Sequence, residues 1–192
     1  MLNQLRPALA MTGLFTLVLG LAYPLAVTGV AQVAFPAQAD GSLVRDAGGR
    51  VIGSTLIGQG FIGATYLHPR PSAAGEGYDA AASSGSNLGP MNPDLIARVK
   101  DQAQAIRADD GRGVIPADAV TTSGSGLDPD VSPAYARLQA ARIARARGVP
   151  VQQVQSIIDA HIEGAFLGFI GQPHVNVLMT NRALDARFGA EG

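Results

Sequence analysis

The chain has 192 residues, with 14 Lys and Arg against 15 Asp and Glu, a formal net charge of -1 and no cysteine. This balance provides no basic field for nucleic acid, and the lack of cysteine excludes disulfides, thiolate catalysis and cysteine-ligated zinc. The length fits one compact domain plus a segment outside its core.

The N-terminal region is predicted to cross a membrane. No residue from 7 to 39 is charged, whereas a bilayer-spanning helix needs only about 20 apolar residues. Leu, Val and Phe are frequent within this run, and each favours insertion. We therefore predict a short N-terminus at 1–7, a transmembrane helix at 8–30, a linker at 31–40 and a soluble domain at 41–192.

A cleaved signal peptide is the alternative interpretation, because Ala37-Gln38-Ala39 before Asp40 is typical of a cleavage site. The apolar run is longer than the 7–15 residues typical of a signal peptide, which favours a retained anchor. Both interpretations predict export of the domain. Arg6 and the amino terminus give weak evidence for a cytoplasmic N-terminus, which would place the domain in the periplasm.

One row of the predicted helix carries small or weakly polar residues at every fourth position. These residues are Thr12, Thr16, Gly20, Pro24 and Thr28. Such rows allow close approach of another helix, which predicts docking on a membrane partner, although these residue types are also simply tolerated in spans. Pro24 is expected to free the carbonyl of Gly20 and bend the helix. The span carries no charged residue, so it offers no ion path alone.

The soluble part is predicted to begin with a hairpin. Residues 42–45 and 50–53 are apolar segments that flank Asp46-Ala47-Gly48-Gly49, a sequence typical of a turn. The stretch from 53 to 93 is rich in Gly, Pro, Ser and Ala, which indicates an ordered loop or partner surface. Short apolar runs at 54–57 and 64–67 are the exceptions.

Helices dominate the remainder. Asn92 before Pro93 and Ser132 before Pro133 are typical helix starts, and Gly148 is a typical stop. The predicted elements are a helix from Asn92 to about Arg107, a helix from Ser132 to Gly148, a helix from Pro150 with Val151, Val154, Ile158 and Ile162 inward, a strand at 175–178 and a helix at 181–188. The fold class is therefore a single transmembrane helix plus one α/β or α+β domain with an N-terminal hairpin and three to four helices.

No catalytic or metal site is predicted. The histidines His68, His161 and His174 lack metal-ligand spacing, and no carboxylate near them in sequence indicates a triad. Ser123-Gly124-Ser125-Gly126 lacks the first glycine of a nucleophile turn. Arg142, Arg145 and Arg147 at a helix end are explained by the helix dipole alone.

Several short motifs nevertheless follow one another in a characteristic order around the single span. They are Leu5-Arg6-Pro7-Ala8, Tyr23-Pro24, Gly41-Ser42-Leu43, Gly53-Ser54 with Leu56-Ile57-Gly58-Gln59, His68-Pro69-Arg70-Pro71-Ser72-Ala73, Gly85-Ser86-Asn87-Leu88, Ser125-Gly126-Leu127-Asp128 and Gly171-Gln172-Pro173. In this order they resemble the C subunits of the Kdp high-affinity potassium-transporting P-type ATPases, over nearly the whole chain.

The resemblance implies a non-catalytic accessory subunit in the bacterial inner membrane. Its partners would be a potassium-translocating subunit and an ATP-hydrolysing subunit, which would handle K+ and ATP with Mg, so that the chain has no cofactor of its own. The predicted partner surface consists of His68, Arg70, Pro71, Ser72, Gly85, Ser86 and Asn87. An exported periplasmic hydrolase or ligand-binding module, released after Ala39, is the alternative function.

The resemblance also implies a catalytic chaperone that raises the ATP affinity of the ATPase subunit. That effect would map onto Ser123, Gly124, Ser125, Gly126 and Gln139. A periplasmic domain cannot touch cytoplasmic ATP, so an indirect effect through the helices of the pump is physically easier. In the alternative interpretation Ser125, Asp128 and Ser132 are turn and cap residues, and Gln139 lies on a solvated helix face.

Overall fold

The computed structural model describes residues 2–111 and 113–190. The chain divides into two compact units, Met1–Ile52 and Gly53–Gly192. Each unit is described by itself below.

The first unit is dominated by one long apolar helix, Leu5–Ala34, with no part of its most apolar stretch buried. It consists of α1 (Leu5–Leu17), a π-helical segment (Val18–Ala22) and α2 (Tyr23–Ala34). A helix of 30 residues that buries none of its apolar side chains needs a lipid or protein environment. The predicted long apolar N-terminal helix is confirmed, and it runs from Leu5 to Ala34.

The π-helical segment lies directly before Pro24. Within it the backbone N–H of Tyr23 donates to the carbonyl of Val18, five residues back. Proline has no N–H and its ring crowds the preceding turn, so the regular bonding pattern cannot continue through position 24. The perturbation predicted at Pro24 therefore takes the form of a wider helical turn, a form that helices accommodate as a π-bulge.

The predicted hairpin is confirmed. A short helix, α3 (Pro36–Ala39), precedes β1 (Leu43–Arg45) and β2 (Val51–Ser54), which pair with each other. In the turn, Asp46 Oδ1 accepts from the backbone N–H groups of Gly48 and Arg50, both at 2.9 Å. These bonds, that of Arg50 foremost, lower the pKa of Asp46.

The second unit begins with a long irregular segment and then α4 (Pro93–Asp109). The Asn92 side chain accepts from the backbone N–H of Asp94, so the predicted N-cap is confirmed. The apolar run at 54–57 contributes only Ser54 to β2 and then closes a tight turn on itself. The run at 64–67 forms no strand: the backbone N–H of Leu67 donates to the Asn181 side chain, which takes the place of a neighbouring strand.

Three further helices and a small antiparallel sheet complete the unit. The helices are α5 (Pro133–Arg147), α6 (Val151–Ala160) and α7 (Val177–Phe188), and the sheet has the order β3 (Asp130–Val131), β5 (His174–Asn176), β4 (Ile162–Glu163). Short antiparallel strands combined with packed helices make this an α+β unit, the second of the two predicted classes.

Two predicted boundaries in this region are wrong. The strand ends at Asn176, because the Asn176 side chain accepts from the N–H of Met179 and so caps α7, which begins at Val177. Ile162 lies in β4 rather than on α6, which ends at Ala160. In both cases a local cap or pairing partner decides the boundary, and the apolar pattern is the same for either outcome.

The core of the second unit lies where α5, α6, α7 and β5 pack together. Ala136 and Ala140 on α5 are fully buried and let neighbouring helices approach closely. The larger apolar side chains with no exposed surface are Leu67, Ile143, Val154, Ile158, Val175 and Leu184.

Candidate functional site

Gln139 is the most deeply buried of the predicted site residues. Its side chain has no exposed surface, so the interpretation that it lies on a solvated helix face is wrong. Its Oε1 accepts from the backbone N–H of His68 at 2.7 Å, and its Nε2 donates to the carbonyl of His68 at 3.0 Å. One amide side chain thus satisfies both backbone groups of His68, as a neighbouring strand would do.

Asn181 makes the same pair of bonds to the preceding residue, Leu67. Its Oδ1 accepts from the N–H of Leu67 at 2.7 Å and its Nδ2 donates to the carbonyl at 3.0 Å. Two consecutive backbone units are therefore held by amides from α5 and α7. The sequence did not indicate a role for Asn181. An amide side chain on the apolar face of α7 was the available sign, because a buried amide needs hydrogen-bond partners.

Arg142 joins this arrangement from α5. Its Nη1 donates to the carbonyls of Ala64 at 2.8 Å and Tyr66 at 3.0 Å, and its Nη2 donates to Gln139 Oε1 at 2.6 Å. Its Nε donates to Asp110 Oδ1 at 2.8 Å, and both side chains of this ion pair are almost fully buried. Arg142 thus has a structural role, as the helix-end interpretation predicted, although it holds a loop rather than a helix terminus.

The Ser123–Gly126 loop packs against the segment that follows His68. The carbonyl of Ser125 accepts from the backbone N–H of Ser84 at 2.9 Å. The carbonyl of Gly126 accepts from the hydroxyl of Ser72 at 2.7 Å. Gly126 has a φ of +68°, and a Cβ placed there would lie 2.5 Å from the carbonyl oxygen of Ser84. This glycine is required by close backbone approach, which is a packing role.

Arg70 and Ser72 organise the same segment from within. The Arg70 guanidinium pairs with Asp128 Oδ2 at 2.7 Å, and the Tyr78 hydroxyl donates to the carbonyl of Arg70. The Ser72 hydroxyl accepts from the backbone N–H groups of Ala74 and Tyr78 while it donates to Gly126. The polar atoms of these two predicted partner-surface residues therefore have partners within the unit.

Gln139 and the Ser123–Gly126 loop, the two parts of the predicted nucleotide-affinity group, contact the same segment at different residues. Gln139 holds His68, and Gly126 holds Ser72, four residues later. Among the described residues no hydrogen bond joins Gln139 to the Ser123–Gly126 loop. The remaining predicted partner-surface residues Gly85, Ser86 and Asn87 lie at the end of the segment, with Asn87 exposed and its φ at +53°.

A cleft of about 290 Å³ lies beside this segment. Its lining includes His68, Tyr78, Tyr135, Asp109 and Asp110. Burial, followed by the charge of Arg142, lowers the pKa of His68 below 6.5. Burial raises the pKa of Tyr135 to about 12 and raises that of Tyr78 as well. The cleft therefore presents neutral imidazole and phenol groups beside two carboxylates, and its volume is at the lower end for ligand pockets, about 300–1,000 Å³.

A second cleft, of about 390 Å³, is lined by Asp118, Asp128, Asp130, His174 and Arg70 among others. Burial raises the pKa of Asp130, and the neighbouring His174 opposes that rise. Carboxylates predominate over cations in this lining, which disfavours a polyphosphate ligand. Over residues 2–111 and 113–190, no group of three or more His, Asp or Glu side chains is arranged to hold a metal ion.

The predicted docking row lies on the anchor helix. All five of its residues are exposed: Thr12, Thr16, Gly20, Pro24 and Thr28. A Cβ at Gly20 would meet only Thr16 Cγ2, at 3.9 Å. A partner helix could therefore approach the backbone at this position.

The chain thus combines a long N-terminal helix with no charged residue after Arg6 and a small α+β unit held together by amide and guanidinium clamps, an arrangement that fits a single-pass membrane subunit. A family model described as "KdpC: K+-transporting ATPase, c chain" matches residues 5–186, and the chain belongs to this family. The predicted resemblance is thereby confirmed.

Curated relatives agree over nearly the full length, and each is named "Potassium-transporting ATPase KdpC subunit". One from a Caulobacter species is 68% identical and covers 100% of this chain and 98% of the relative. One from Beijerinckia indica is 62% identical, covering 98% and 96%. One from Myxococcus xanthus is 58% identical, covering 93% and 86%. The chain is accordingly a subunit of a potassium-transporting ATPase, with a helix suited to a single membrane crossing.

Proposed function

We propose that the chain is a non-catalytic accessory subunit, which assembles and stabilises a complex with a potassium-translocating subunit and an ATP-hydrolysing subunit. The observation that carries this proposal is the apolar helix Leu5–Ala34, which has no charged residue after Arg6 and is included in the family match. Such a helix anchors and docks but offers no ion path of its own. K+ and ATP with Mg would be handled by the partners.

Co-purification in mild detergent tests the docking role of the small-residue row. Gly20→Leu together with Thr16→Leu should weaken the complex, because the added side chains hold a partner helix away. Ala22→Leu, which adds a similar volume on roughly the opposite face, is the matched control and should leave the complex intact. A complex that survives the double substitution unchanged would refute docking at this row.

We further propose a cytoplasmic N-terminus at 1–7, a span at 8–30, a linker at 31–40 and a periplasmic domain at 41–192. A membrane-impermeant protease added to spheroplasts should digest the domain while the N-terminus stays protected. Digestion only after the membrane is opened would reverse this orientation. N-terminal sequencing of the mature protein tests the alternative, an exported hydrolase or ligand-binding module: a new terminus at Asp40 would support release.

The effect on ATP affinity is proposed to be indirect, through stabilisation of the pump's helices. Three features support this: Gln139 is wholly buried, Gly126 is required by packing, and carboxylates line both clefts. Calorimetric titration of the full chain in detergent should give no heat at millimolar ATP. Heat that is present in the native chain and absent in Gln139→Ala would instead show direct contact, provided that circular dichroism shows the variant folded.

A further inference from the structure

The connection between β4 and β5 ends in an exposed apolar turn, Phe166–Ile170. The side chains of Phe166, Leu167, Phe169 and Ile170 are 69%, 69%, 77% and 51% exposed. No residue from 164 to 173 is charged. Several large apolar side chains gathered on one projecting turn mark a contact with an apolar partner or a membrane, unlike apolar residues scattered singly over a surface.

Most backbone N–H groups of the apolar turn are paired within the turn or with the residue before it. Phe166 and Ile170 exchange two hydrogen bonds, at 2.8 and 2.9 Å. The N–H of Gly168 donates to the carbonyl of Ala165 and that of Phe169 to the carbonyl of Phe166. Backbone groups that are satisfied internally lower the cost of entering the apolar part of a bilayer, and four of the five N–H groups of this turn are satisfied in this way.

Only a short segment links the anchor helix to the rest of the chain. The segment from Phe35 to Ser42, which connects the anchor helix to the hairpin, spans at most about 30 Å even when fully extended. The residues that follow this segment therefore begin within about 30 Å of the end of the anchor helix. When one part of a chain is anchored in a bilayer, a second and weaker contact of the same chain with that bilayer becomes an intramolecular event and is therefore favoured.

We propose that the apolar turn inserts into the interface of the bilayer that the anchor helix spans, as a second membrane contact of this chain. All four side chains are exposed at once around the turn, which suits a surrounding lipid medium better than a one-sided protein surface. The connection that carries the turn runs from Glu163 to His174, and the carboxylates of Glu163 and Asp130 lie 3.8 and 3.7 Å from the His174 imidazole. These carboxylates give no attraction to anionic headgroups, so insertion depends on apolar burial and not on anionic lipid.

The absence of tryptophan from the chain permits a direct test. The full chain carrying Phe169→Trp is reconstituted alone into neutral phosphatidylcholine vesicles, with or without bromine on the lipid acyl chains. Bromine should lower the Trp emission at least about two-fold, because interfacial segments bury apolar side chains about 5–10 Å into the headgroup and acyl boundary. Adding phosphatidylglycerol should not increase the quenching.

Val114→Trp is the matched control, because Val114 is an apolar residue that is 93% exposed in another loop of the same unit. Its emission should be unaffected by bromine. Equal quenching of the two variants would overturn the assignment to the apolar turn. Unquenched emission from Phe169→Trp, whether at the wavelength of exposed Trp or blue-shifted by protein cover, would overturn membrane insertion. Phe166→Trp repeats the measurement at a second position.

Discussion

Individual polar side chains make the hydrogen bonds that a neighbouring strand would otherwise make to the loop around His68. Gln139 and Asn181 bond both backbone groups of His68 and Leu67, and Arg142 bonds two further carbonyls of the same loop. A loop of this kind has no strand partner, so its buried N–H and C=O groups need such side chains. Substitutions at these residues are therefore expected to change the conformation of the loop.

Gly126 provides a prediction within the Ser123–Gly126 loop. Gly126→Ala should destabilise the fold by about 1–3 kcal/mol, because alanine is strained at positive φ and its Cβ meets backbone atoms of Ser84 and Ala74. Chemical denaturation of the full chain in detergent, followed by circular dichroism, measures this. Gly124→Ala is the control, since nothing lies within 4 Å of a Cβ there. Equal losses for the two would contradict the packing role.

His68 provides a prediction about pH. Because burial lowers its pKa in the folded state below 6.5, the unfolded chain binds the proton more tightly. Its contribution to stability is therefore present above about pH 6.5 and is lost as pH falls below that value. In an NMR titration of the folded chain the imidazole of His68 should titrate below 6.5, the ordinary value for histidine. Titration at or above that value would show that burial has no effect on this imidazole.

At the scale of elements, caps set the ends of the helices. Asn92, Ser132 and Asn176 each accept a hydrogen bond from the first turn of the helix that follows. Gly148 ends α5 with a φ of +66°. The capping residues predicted from sequence at 92, 132 and 148 are all confirmed, because a cap is a local interaction that needs no tertiary partner.

Ser132 carries the prediction at this scale. Its hydroxyl accepts from the N–H of Tyr135 at 3.1 Å and bonds Asp118 Oδ1 at 3.0 Å. Ser132→Ala should cost about 1–2 kcal/mol of unfolding free energy, the upper part of the range for lost caps. Ser156→Ala, on the exposed face of α6, should change the same measurement by less than about 0.5 kcal/mol. A loss at Ser132 no larger than at Ser156 would mean that the cap contributes nothing.

At the scale of the molecule, the anchor and the α+β unit are built on different principles. The anchor is a mostly apolar helix with no buried stretch, whereas the second unit combines a modest apolar core with buried polar clamps. The Arg142–Asp110 pair is the central clamp, because it links α5 to the end of α4 and to the loop between residues 63 and 66.

Arg142→Lys should destabilise the second unit by about 2–4 kcal/mol, because lysine cannot reproduce the planar fork and leaves Asp110 and several carbonyls without partners. Arg137→Lys is the control, since the Arg137–Asp159 pair is about half exposed and such pairs contribute about 0–1 kcal/mol. Denaturation of the two variants under the same conditions tests the difference. Comparable losses would indicate that burial of the pair is unimportant.

The sequence by itself determined the features that depend on neighbouring residues. The anchor follows from an uncharged run too long to be anything but a span or a leader, the hairpin from its turn residues, and the helix starts from their caps. The order of short motifs identified the family. None of these needs a contact between distant parts of the chain.

Only the tertiary structure decided how the irregular segment between the hairpin and α4 is held, and what surfaces remain. Gln139 and His68 are 71 residues apart, and Asn181 and Leu67 are 114 apart, so no local pattern indicates their pairing. Helical periodicity places Gln139 on a face of α5, but whether that face meets solvent or a loop depends on chain packing. Likewise, apolar residues at 166–170 suit a buried strand equally well, and only the fold leaves them exposed on a turn.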